Sequence, residues 1–233
     1  MKVALLFASL VLPLATHADK IVLVSGGQRD AIGIPAVQAK LKEPYGTGFD
    51  ASGNLWIIES GSGNRLLKVD AGGMLTHIAG QPKPGSSGDG GPMLQAQFNG
   101  PHSLTVLPDG DVLIADTWNG CVRKVAVKTG IVSQLRGFQV PAETARASGP
   151  YCITLDFTGT KLYIADLKRI HVVDLATDQS QVVAGNGKKG RPEDGALATD
   201  ALWPRIAGAM SISSNAAAMR CGWWTKRAAS APS

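Results

Sequence analysis

Aromatic residues are scarce, at 6% of the chain, which argues against a broad base-stacking surface. Cysteine occurs three times, at Cys121, Cys152 and Cys221, with spacing that matches neither a zinc site nor a dense disulfide framework. No H-E-x-x-H, G-x-S-x-G or N-x-Ser/Thr element is present, so zinc-peptidase and nucleophile-elbow chemistry have no support. After the first residues no apolar run is long enough to span a bilayer. Excess charge is also missing from the body of the chain. The formal +5 comes from Lys2 and from Arg205, Arg220, Lys226 and Arg227, while residues 19–204 balance to zero. A basic groove for nucleic acid is therefore not expected.

Glycine (28) and proline (13) are abundant without a collagen-like period, which points to many turns. At the start, Lys2 precedes an apolar run from Val3 to Leu14, and Thr16 to Ala18 offer the small residues a signal peptidase reads. Residues 1–18 are expected to be a signal peptide, and the chain secreted or periplasmic.

The organising feature is a repeat. Pro44 to Asp50, Pro101 to Leu107 and Pro150 to Asp156 align, each followed by a glycine turn (Gly53, Gly110, Gly159) and an apolar run ending on Glu59, Asp116 or Asp166. Third runs follow at 65–70, 121–127 and 169–175, and fourth runs at 74–79, 131–135 and 181–184. Four short strands per unit, joined by Gly and Asp/Asn turns, is the pattern of a propeller blade. The connectors repeat as well: Ala36, Ala39 and Leu41 before Pro44 correspond to Leu94, Ala96 and Phe98 before Pro101, and to Ala198, Ala201 and Leu202 before Pro204. A short helical turn is expected in each.

Residues 112–125, with Gly88 to Pro92 upstream, resemble bacterial NHL-repeat propellers over about residues 20–204. The resemblance implies an all-β fold of four-stranded antiparallel blades around a central channel, commonly six in number, and is related in fold to gluconolactonase-like propellers. It says little about function. Lys20 to Gly26 is expected to be an outermost strand of the kind that closes such rings. Three blades plus one strand do not close a circle, and open edges invite aggregation, so residues 19–204 are read as a propeller fragment.

From Arg205 the alternation stops, acids disappear, and the stretch 205–233 turns Ala/Ser-rich. Composition alone describes a linker-like tail. The codons required for Cys221 to Lys226, read one frame over, force a Val-Asp pair and permit a blade-like sequence that aligns on residues 111–116 and 122–130. The expectation is a frame slip near Pro204 that replaced a fourth blade.

Two sets of equivalent residues are candidate sites. Glu59, Asp116 and Asp166 end each second strand. In gluconolactonase-like propellers carboxylates with an Asn bind a divalent ion, so calcium or zinc is the implied cofactor of that alternative. Repetition in every blade favours the other reading, in which each acid caps its own turn. Tyr45, His102 and Tyr151 follow the three blade-starting prolines and are expected to face one mouth of the channel, as lining or as a small-ligand site. Only one is His, which disfavours the metal that several His hold in amidating-lyase propellers.

Gly185 to Gly190 matches G-x-G-x-x-G but follows an outer antiparallel strand, and Gly85 to Gly91 lacks the Lys-Ser/Thr of a phosphate loop; both are read as connectors. The register argues against a Cys121–Cys152 bridge. Trp56 and Trp118 are read as inter-blade packing. The leading function is a binding or interaction scaffold for a protein, peptide, glycan or other ligand, with no cofactor, nucleic acid or membrane span. The alternatives are a metal-dependent lactonase-like hydrolase and a truncated product without function.

Overall fold

The computed structural model describes residues 23–188, 190 and 193–202. The expected signal peptide, residues 20–22 and the tail 205–233 lie outside them. Among the described residues, twelve strands form three separate four-stranded antiparallel sheets, each in simple sequential order. The first comprises β1 (Pro44–Phe49), β2 (Leu55–Glu59), β3 (Arg65–Val69) and β4 (Leu75–Gly80). The second comprises β5 (Ser103–Val106), β6 (Val112–Asp116), β7 (Cys121–Ala126) and β8 (Ile131–Gln139). The third comprises β9 (Cys152–Leu155), β10 (Lys161–Ala165), β11 (Ile170–Asp174) and β12 (Ser180–Ala184). Inner strand β5 contacts both β1 and β9, so the blades stand side by side along their inner edges.

Sequence sets the β1–β2, β5–β6 and β9–β10 hairpins through local chemistry. Gly53, Gly110 and Gly159 take φ of +80°, +92° and +72° in these three turns, a conformation that costs glycine nothing. Side chains close the loops: the Asp50 carboxylate accepts the amides of Ser52 and Asn54 at 2.9 and 3.0 Å, and Asp156 accepts those of Thr160 and Lys161 at 2.9 and 3.0 Å. The second blade lacks an acid at that position and uses Asp109, which accepts the Asp111 amide at 3.0 Å.

Burial along the second strands records which blades have neighbours. Every residue of β6 is buried, because one face packs on the first blade and the other on the third. In β10 the pattern alternates, with Leu162 and Ile164 buried and Lys161, Tyr163 and Ala165 less so, the signature of a sheet covered on one face. Two cores result. Trp56, Ile58, Leu66, Phe98, Leu104 and Ile114 fill the space between the first and second blades, and Leu113, Val122, Phe138, Ile153 and Leu162 that between the second and third. The remaining face of the first blade is closed by connector residues Ile34, Ala36, Ala39 and Leu41 on Ile57, Leu67 and Leu75.

The expected helical turns appear in the second and fourth connectors, at Met93–Gln95 and Ala198–Asp200, but the first makes only hydrogen-bonded turns at 35–39, and the third carries Ala142–Thr144 and a one-turn helix, Ala145–Ser148. Of the expected N-terminal outer strand, Lys20 to Gly26, residues 23–26 are described. Residues 23–26 pair in no sheet, Leu23 and Val24 are exposed, and the Gly26 amide bonds instead to the Ala36 carbonyl at 3.1 Å. Each of the three sheets already has its own fourth strand, so a ring-closing strand would belong to a further blade. Cys121 and Cys152 are free thiols.

Because Ile114 is fully enclosed between two blades, Ile114→Ala is expected to lower stability by about 2–5 kcal/mol in urea unfolding. Phe157→Ala, at a fully exposed position, is expected to stay within about 0.5 kcal/mol. Equal losses would show that blade-to-blade packing does not carry the fold.

Candidate functional site

The three acids that end the second strands are buried and do not meet. Each is consumed within its own blade. Glu59 accepts the Lys42 amide at 2.6 Å and pairs with Arg65 at 2.7 Å. Asp116 accepts the Asn99 amide at 2.7 Å, the Asn119 side-chain amide at 2.8 Å and Arg123 at 3.3 Å. Asp166 accepts the Lys168 and Arg169 amides at 2.5 Å and lies 3.2 Å from His171. Lys42 and Asn99 both stand two residues before a blade-starting proline, so the acid pins the incoming connector to the sheet. Among the described residues no group of three metal-ligating side chains gathers.

Sequence reasoning overlooked the basic partners Arg65, Arg123 and His171, which follow the acids by six, seven and five residues on the third strands. A cation shortly after each repeated acid is the signal that identifies them. Arg123 does most. At 1% exposure it also bonds Asp89 at 2.9 Å and the Gln97 and Ser87 carbonyls, and its guanidinium carbon lies 5.4 Å from the Phe98 ring centroid. It thereby ties the loop at 87–97 to the second blade. Burial pushes Asp116 up to about 6, against the bonds from Asn99, Asn119 and Arg123 that hold it down. Burial likewise pushes the Cys121 thiol up to about 12, aided by the Asp116 charge, which makes it inert near neutrality.

The second set does come together. Tyr45, His102 and Tyr151 begin the inner edges of consecutive blades, and their rings form a continuous edge-to-face row, with centroids 4.7 Å apart for Tyr45–His102 and 4.9 Å for His102–Tyr151. Trp118, from the turn after β6, extends the row at 6.0 Å from His102. An added Cβ on Gly100, at φ +54°, would sit 2.3 Å from the Trp118 ring, so glycine is what lets the indole rest against that backbone. Trp118 thus rests on the lead-in of its own blade and belongs to neither inter-blade core, unlike Trp56. Its other neighbour is Arg146, whose guanidinium carbon lies 4.3 Å from the ring centroid. Tyr45 also lines an open groove of about 420 Å³ with Leu23, Val24, Leu41, Leu55 and Ile57.

Hydrogen bonds fix the polarity of the row. His102 Nδ1 lies 2.6 Å from the Gly100 carbonyl, which only accepts, so Nδ1 carries the proton and the neutral ring keeps its Nε2 lone pair. Burial moves His102 below its usual value, partly offset by that same bond. Tyr151 donates its hydroxyl to the Arg146 carbonyl at 2.7 Å, which seats the one-turn helix on the row. Burial raises the Tyr151 phenol, so it stays a neutral donor.

Two outcomes follow. Arg123→Ala, which strands Asp116 and opens the loop at 87–97, is expected to cost about 3–5 kcal/mol in denaturant unfolding. His102 is expected to titrate below 6.5 when followed by imidazole proton NMR. Because its folded value is depressed, its contribution to stability is complete above 6.5 and is lost as pH falls from 6.5 through the folded value. A midpoint above 6.5 would contradict the burial argument.

Comparison with known proteins bears on the fold. The NHL repeat family profile matches residues 98–125. Mouse Teneurin-3 is 28% identical over 149 residues, covering 58% of this chain and 5% of its own, and mouse Teneurin-1 is 27% identical over 117 residues, covering 45% and 4%. Among solved structures, an auxiliary nutrient binding protein from Bacteroides ovatus superposes with a TM-score of 0.50 at 14% identity, over 68% of this chain and 35% of its own. Virginiamycin B lyase from Staphylococcus aureus matches with a TM-score of 0.44 at 19% identity, over 67% and 44%. The chain therefore spans a small fraction of the teneurins and less than half of either structure. Residues 98–125 match the NHL repeat, and the described part of the chain that contains them folds as three blades of a β-propeller.

Proposed function

We propose that the chain is an exported binding scaffold, and that a ring-bearing group of its ligand, from a protein, peptide or glycan, rests on the Tyr45–His102–Tyr151 row. One observation carries this reading: residues 57 and 49 positions apart in sequence meet ring to ring at one end of the inner strands, with Tyr45 46% exposed. Rings that served only the blades would be expected inside the two inter-blade cores, where Trp56 and Phe98 are. The row instead offers polar tips to solvent. The Tyr45 hydroxyl and His102 Nε2 have no protein hydrogen-bond partner among the described residues and remain available as a donor and an acceptor. Rings with polar tips bind well because they bury large area at small entropic cost. Lys2 and the apolar run to Leu14 support export.

Saturation-transfer NMR of the purified chain with three neutral ring compounds, benzamide, indole-3-acetamide and methyl β-glucoside, tests the reading. Transfer to at least one probe is expected, reduced at least fivefold in Tyr45→Ala/Tyr151→Ala while circular dichroism is unchanged. No transfer to any probe, or transfer indifferent to the double substitution, would overturn it.

A further inference from the structure

Resting on that reading, we infer that the ligand carries a carboxylate beside its ring and that Arg146 receives it. Arg146 differs from the other arginines with assigned contacts near the blades. Arg65 and Arg123 are each neutralised by a buried acid, at 2.7 and 3.3 Å. Arg146 is exposed, and no carboxylate lies within 4 Å of it among the described residues. Glu143 stands three residues before it on the same connector and forms no ion pair with it. Glu59, Asp116 and Asp166, the acids of the adjoining strands, are buried and already bonded.

The cation is also held in place. Its guanidinium stacks on Trp118, the indole is backed by the Gly100 chain, and its own carbonyl is fixed by the Tyr151 hydroxyl. Stacking occupies the face of a guanidinium and leaves its edge, with paired N–H donors, free for a planar two-oxygen anion. A ring lying on the row places an attached carboxylate at that edge, while neutral His102 Nε2 accepts from a ligand hydroxyl or amide. Ring, acceptor and fork together describe an aromatic acid or an acidic sugar, and they discriminate against the corresponding amide.

The test uses matched pairs, benzoate with benzamide and indole-3-acetate with indole-3-acetamide, titrated by ligand-observed NMR on the parent chain and on Arg146→Gln. In the parent each acid is expected to bind about tenfold tighter than its amide, with the preference shrinking as salt rises. In Arg146→Gln the pair should bind alike, at the amide's affinity. Acid and amide binding equally to the parent, or a preference that survives Arg146→Gln, would overturn the inference and leave the ring-binding reading standing. Binding of neither member of either pair would overturn the inference, and if methyl β-glucoside also shows no transfer, both.

Discussion

A four-stranded blade is a thin sheet with an apolar side-chain layer on each face, and only another element can take both faces out of water. Everything else in this chain depends on that constraint. It explains why β6 is buried along its whole length while β10 alternates, and why connector residues 34–41 fold back over the first blade. At roughly 1.5–3 kcal/mol for each fully buried aliphatic or aromatic side chain, the two inter-blade cores outweigh any polar contact in the molecule. Stability of such an array is approximately a sum over neighbouring blades.

Packing buries the blades, and polar interactions fix where each incoming connector meets its own sheet. Glu59 and Asp116 each hold the backbone two residues before the proline that starts their own blade and are themselves held by an arginine from the third strand. No buried side-chain nitrogen or oxygen among the described residues lacks a partner, so these charges are enclosed without an orphaned group. The third blade solves the problem differently, with Asp166 turning back on its own hairpin and on His171. The third lead-in is held instead by the Thr117 hydroxyl, which donates to the Pro150 carbonyl at 2.6 Å, and three side chains from three blades become a contiguous row.

The repeat was legible in the sequence because its signals are local: short apolar runs, glycine at the positive-φ turn, and a proline that starts each inner edge. Fourth runs were placed correctly at their starts, although β8 continues to Gln139, well past the expected Leu135. Equivalence also made Tyr45, His102 and Tyr151 recognisable as a set. That their rings touch was not legible, since it depends on the spacing between blades. Arg146 and Trp118 were harder still. They sit on a connector helix and a turn whose counterparts in the other blades carry different residues, so no repetition marks them.

The central claim is that blade packing brings residues 45, 102 and 151 into one ring-to-ring row, and proton NOE measurement tests it most directly. With centroids 4.7 and 4.9 Å apart, the His102 imidazole protons are predicted to show strong cross-peaks to the ring protons of both Tyr45 and Tyr151. A cooperatively folded chain showing neither cross-peak would contradict the account.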